Sequence, residues 1–133
     1  METIRKINDE LAIAGQIGLE QLFDLADEGF RSVLNLRSPQ ERGFLWDEEH
    51  KATLLALTYL NLPMTLDDTN DERLLSLFKQ IGELPKPILI HCDTGIRSAL
   101  IVLMYLAIQN GATPRQAFQQ AQTLGLLAPI PQR

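Results

Sequence analysis

One short stretch of this chain concentrates reactive chemistry: Ile90-His91-Cys92-Asp93-Thr94-Gly95-Ile96-Arg97-Ser98. It contains the chain's only cysteine, an arginine five positions further on, and a glycine between them. An apolar run precedes it and a longer one follows, so Cys92 falls at the carboxyl end of a predicted strand, on a short loop that opens a helix. Ligands of open α/β sheets bind at such strand ends, where the loops leave a crevice. The first turn of a helix presents unpaired amide hydrogens and a partial positive charge, which together hold an oxyanion or favour a thiolate. Arg97 adds a planar fork able to grip two anion oxygens, Gly95 permits a backbone angle that a side chain resists, and Ser98 is placed to donate to the sulfur. Cys92 thus reads as a nucleophile and Arg97 as a clamp. The amides of Asp93, Thr94, Gly95, Ile96, Arg97 and Ser98 read as the cradle for an oxyanionic centre. A lone cysteine is more often a small buried hydrophobe, but these polar neighbours make a poor core.

The surrounding pattern supplies the frame. Ile4 to Ile7 and Leu11 to Ala14 flank Asn8-Asp9-Glu10 and suit an edge hairpin. Leu19, Leu22, Phe23 and Ala26 recur at helical spacing, with Gly29 where a C-cap belongs. Ser32 to Leu36 and Thr58 to Leu62 read as strands, and the intervening 38–56 is polar first and helical later. Leu74, Leu75, Phe78 and Ile81 mark a helix over 71–81, with Thr69 and Glu72 as its capping box, and Pro85 and Pro87 stop it. Residues 87–92 form the best central strand, 96–109 a core helix, and Thr113 with Gln116 caps a last helix that fades near Gly125. Alternating strands and helices predict an α/β domain spanning 1–133. It should be a three-layer αβα arrangement with a mainly parallel sheet of four to five strands flanked by helices.

The whole composition narrows the function. The 133 residues are 45% hydrophobic and 22% charged, with a formal net charge of −5. That balance excludes broad binding to nucleic acid or to an anionic membrane, so an anionic substrate must be attracted by a local site. One cysteine and two histidines 41 positions apart make no metal-ligand set, and no cofactor is implied. The opening METIRKINDELAIAG lacks the apolar core of a secretory signal, and no run is long enough to span a bilayer, which predicts a cytoplasmic protein. Nothing in the pattern indicates an oligomeric state.

HCDTGIRS resembles the signature loop of cysteine-dependent protein phosphatases. With LAIAGQI, GFRSVLNLRSPQE and the strand ending LNLPM, it is similar to a small bacterial tyrosine-phosphatase-like family, some members of which are named for fusion to beta-lactamase-like hydrolases. The likeness runs over roughly Ile4 to Ala107. It implies a phosphatase acting on a phosphorylated protein or small molecule, with Cys92 forming a phosphocysteine and Arg97 binding the phosphoryl oxygens. It also implies a general acid on the loop before the helix at 71: Asp67, with Asp68 beside it as the alternative. The competing reading of both is as ordinary turn and helix-start residues. His91 is expected to orient the loop by hydrogen bonds rather than carry a proton.

One departure matters. Four residues separate Cys92 from Arg97, where the general phosphatase motif has five. Four is the loop length of rhodanese-like sulfurtransferases, which carry a persulfide, so sulfur transfer through Cys92 is the alternative function. A non-catalytic phosphate-binding module is a third. Elsewhere, Arg37 and Glu41 are expected to form a structural pair, His50 to sit on a helix surface, and Trp46 to pack in the core.

Overall fold

The computed structural model describes residues 4–65 and 70–123. Five strands form one sheet in the order β1-β2-β5-β3-β4: β1 (Arg5–Lys6), β2 (Leu11–Ala14), β3 (Ser32–Asn35), β4 (Thr58–Asn61) and β5 (Ile88–His91). β1 pairs antiparallel with β2, and every other pairing is parallel. The hairpin turn follows from Asn8, whose side-chain oxygen accepts from the amides of Glu10 and Leu11 at 2.8 and 2.9 Å. The expected central strand is central: β5 lies between β2 and β3, with Ile90 opposite Ile13 on one side and Leu34 on the other.

Helices cover both faces, because alternate side chains of each buried strand point to opposite sides. Leu11, Leu34, Ile88, Ile90 and Cys92 face α3 (Asp71–Glu83), α4 (Ile96–Gln109) and α5 (Pro114–Thr123), packing with Phe78, Ile81, Leu100, Ile101 and Met104. Ala12, Ala14, Val33 and Leu89 face the other way, toward α1 (Leu19–Asp27) and α2 (Glu48–Leu54), packing with Ile17, Leu22, Leu25 and Ala52. The architecture is the expected α/β three-layer one.

Local chemistry explains the boundaries. Gly29 follows α1 at φ +99, and Phe30 N closes on Leu25 O at 2.9 Å. Asn70, rather than the expected Thr69, caps α3 by accepting from Arg73 N at 2.9 Å; Thr69 lies outside the described residues. The last helix has its capping box, with Thr113 and Gln116 exchanging bonds of 2.9 and 3.1 Å. Between β3 and β4 only Glu48–Leu54 is helical; the segment before it wraps around Arg37. Trp46 on that segment departs from its expected core position: it is 73% exposed and meets Phe44 edge to face at 5.1 Å. The loop is consumed in bonding Arg37, which leaves the indole no sheet face to enter.

Candidate active site

β5 delivers His91 and Cys92 to the carboxyl edge of the sheet, on opposite faces. Main-chain bonds tie the loop to its neighbours: Cys92 N to Ala14 O at 3.3 Å, Gln16 N to Asp93 O at 2.9 Å, and Leu36 N to His91 O at 2.9 Å. Gly95 closes the loop as the residue before α4, at φ +99 and ψ −10. A Cβ there would stand 3.6 Å from Gly15 N, an ordinary contact, so the backbone angle rather than space calls for glycine. The first helical bond of α4 runs from Ala99 N to Gly95 O at 3.0 Å, which leaves the amides of Ile96, Arg97 and Ser98 as first-turn donors.

Cys92 is fully buried among Leu and Ile side chains, yet it does not behave as a plain core residue. The Gly95 amide donates to its sulfur at 3.1 Å. A backbone donor aimed at sulfur from the start of a helix stabilises negative charge there. Ser98 differs from expectation. Its hydroxyl lies 3.1 and 3.0 Å from the Ala14 and Gly95 carbonyl oxygens, and the Cys92 thiol donates toward it at 3.8 Å. Two carbonyls are better acceptors than a thiol, so Ser98 braces the loop against β2.

Arg97 is well satisfied. Its two terminal nitrogens donate to the Glu41 carboxylate at 2.8 Å each, one of them also to Met64 O at 3.0 Å and the other to Asp93 Oδ1 at 3.0 Å. Asp93 therefore turns toward the arginine and also accepts from Thr94 N at 2.8 Å, so one cradle amide is occupied from within. The hydrogen bond from Arg97, joined by those from Ser38 N and Arg37, outweighs burial, which would raise the Glu41 pKa, and holds it down at about 2. Burial would raise Asp93, but the hydrogen bond from Arg97 and that from Thr94 N prevail and lower it. Both are carboxylates at neutral pH.

Arg37 and Glu41 form the expected pair at 3.0 Å, and the same Glu41 reaches Arg97, so the pair belongs to the site. Arg37 continues the network to Gln16 at 2.7 Å, and Gln16 donates to Glu48 at 3.1 Å. Glu48, buried, bonds His91 Nε2 at 2.5 Å, while His91 Nδ1 lies 3.3 Å from Cys92 O. A continuous polar chain thus runs from the arginine, behind the loop, to the residue bearing the sulfur. His91 thus stands between Glu48 and the first carbonyl of the loop. Glu48 and Gln16 were missed, since one acid in the run Asp47-Glu48-Glu49 carries no sign of which is turned inward.

An open cavity of about 550 Å³ lies at the arginine end of this chain of bonds, lined by Arg37, Glu41, Arg42, Asp93 and Arg97 among others, while Cys92 lies buried outside its lining. Asp67 and Asp68 lie outside the described residues. His50 is on the exposed side of α2, and among the described residues no group of three or more His, Cys, Asp and Glu is arranged to hold a metal. No described helix is long and apolar enough to cross a membrane.

No family model matches the chain. A beta-lactamase hydrolase-like protein of Xylella fastidiosa is 28% identical over 124 residues, 90% of this chain but 27% of that protein, so the chain spans about a quarter of the curated relative. Among solved structures, a DUF442 protein of Shewanella putrefaciens superposes at TM-score 0.74 and 19% identity, covering 93% of this chain and 85% of the other. TpbA of P. aeruginosa gives 0.71 and 20%, over 92% and 74% of the two chains, and a variant of it is solved with pTyr. The core catalytic domain of the PP-IP phosphatase SIW14 of S. cerevisiae gives 0.68 and 20%, over 92% and 80%. The fold is that of cysteine phosphatase-like proteins.

Proposed function

We propose that this chain is a cysteine-dependent phosphatase of the tyrosine or dual-specificity type, hydrolysing phosphate monoesters of a protein or a small molecule. The observation that carries the reading is the Gly95 amide directed at the Cys92 sulfur at the mouth of α4, with Arg97 in the first turn of that helix. The Cys92 thiolate attacks phosphorus, and the bond from phosphorus to the ester oxygen breaks. The leaving oxygen takes a proton from the Asp67–Asp68 segment. Water then attacks the phosphocysteine, the sulfur–phosphorus bond breaks, and inorganic phosphate departs. Arg97 and the amides of the 93–98 loop bind the three equatorial oxygens, which is positioning and charge stabilisation in one device. Asp93 must leave Arg97 for this to happen. It is 47% exposed and holds by one bond, whereas Glu41 grips by two and keeps the guanidinium in plane. A reduced catalytic thiol also fits the cytoplasm.

The test is turnover of para-nitrophenyl phosphate, with vanadate as inhibitor. Cys92→Ser should lose at least about a thousandfold in rate. A Cys92→Ser protein as active as wild type, or folded wild type inert throughout roughly pH 5–8, overturns the reading.

The short loop favours sulfur transfer as a second reading, because two of its amides are already engaged, one by Asp93 and one by the sulfur itself. In that reaction the thiolate attacks the outer sulfur of thiosulfate, the sulfur–sulfur bond breaks and sulfite leaves, giving a persulfide. Mass spectrometry after thiosulfate treatment decides it: a gain of one sulfur on Cys92, released to cyanide as thiocyanate, selects this reaction. Phosphopeptide binding by Cys92→Ser protein, with no turnover or persulfide in wild type, selects the binding module.

A further inference from the structure

The charges lining the cavity are unevenly committed. Arg37 and Arg97 both bond Glu41, and Arg97 also bonds Asp93, so two guanidinium groups face two carboxylates and cancel. Arg42 is the fifth charged residue of the lining. Its side chain is exposed and, unlike the other four, makes no hydrogen bond or ion pair among the described residues. Among the described residues the cavity lining therefore carries one net positive charge, and Arg42 supplies it, on a chain whose net charge is −5.

The position of Arg42 is fixed although its side chain is free. Its carbonyl and that of Gly43 both accept from the buried Arg37 guanidinium, and Phe44 N bonds Glu41 O at 3.1 Å. The residue that anchors Glu41 to Arg97 thus also holds the backbone that carries Arg42. The cavity, about 550 Å³ and open to solvent, is far larger than one phosphoryl group.

We infer that Arg42 is a specificity-determining residue that binds a second anionic group on the substrate, the first being the phosphoryl group at the 93–98 loop. This rests on the phosphatase reading above and narrows its substrate class. Two sources share that chemistry: an acidic side chain beside the phosphorylated residue of a protein, and a second phosphate on a small molecule. A neutral phosphate ester leaves Arg42 idle, and the overall field of the protein then works against its capture.

Binding separates the inference from the reaction. With the full chain carrying Cys92→Ser, calorimetry compares a phosphotyrosyl peptide flanked by glutamates with the same peptide flanked by alanines, and a sugar bisphosphate with its monophosphate. At least one doubly anionic ligand should bind about fivefold tighter than its match, as one solvent-facing charge pair allows. The pair that shows the preference names the source. Adding Arg42→Ala should bring the ratio to about one, Arg42→Glu should reverse it, and raising salt from about 50 to about 500 mM should shrink it. Ratios of one in both pairs, or a preference that survives Arg42→Ala, overturn the inference. Para-nitrophenyl phosphate turnover, measured with Cys92 intact, answers separately: its absence defeats the phosphatase reading alone, and its presence without any binding preference defeats the assignment of Arg42 alone.

Discussion

Two carboxylates of unequal standing hold Arg97, and each sets a different property. Asp93 is half exposed and bonds Arg97 once, so on the proposed function an entering anion must displace it. Asp93→Asn should therefore lower the inhibition constant of vanadate or phosphate by about two- to fivefold, the range of a solvent-screened pair; an unchanged constant would mean that Asp93 does not compete there. Glu41 is 24% exposed and doubly bonded, and its pKa is lowered from 4.5 to about 2. Its contribution to stability is complete above the unfolded value and is lost as pH falls toward 2. Urea midpoints of Glu41→Gln should accordingly fall less between neutral pH and pH ~2 than those of wild type. The sequence disclosed these residues to different degrees. Cys92 and Arg97 stood out by type and spacing. Glu41 was visible only as a partner four positions from Arg37, because Arg97 is 56 positions away and only folding brings it there. Glu48 was invisible, because burial alone selects it from three adjacent acids.

The β5–loop–α4 unit does more than hold these side chains. Gly95 must adopt φ +99 for its amide to meet the sulfur. Gly95→Ala should destabilise the fold by about 1–2 kcal/mol, since a left-handed backbone is strained for any residue with a Cβ. It should also slow Cys92 alkylation by iodoacetamide at fixed pH, as the amide swings off the sulfur; an unaltered alkylation rate in folded protein would show that the contact does not activate the thiol. This unit was legible in advance, because an apolar run, a polar break with glycine and a second apolar run encode strand, turn and helix locally. Segment 38–47 was not. Its course is dictated by the buried Arg37, whose carbonyl acceptors lie on that segment, and no local periodicity announces such a task. Trp46 was misjudged for the same reason.

Across the molecule, two apolar layers share one sheet, and β5 contributes to both: Ile88, Ile90 and Cys92 to one, Leu89 to the other. The strand that delivers Cys92 is therefore, like β3 beside it, packed on both faces. Ile90, fully buried, should cost about 2–5 kcal/mol on truncation to alanine, read as a drop in urea midpoint. The layered architecture was readable from alternating strands and helices, whereas the strand order depends on contacts no window of sequence contains. Sequestering the sulfur beneath its loop also has a bearing on oxidative damage. Within this chain no second thiol exists to capture a sulfenic acid formed on Cys92. Its repair falls to a reductant from outside, and because Cys92 is fully buried the loop must yield before that reductant meets the sulfur.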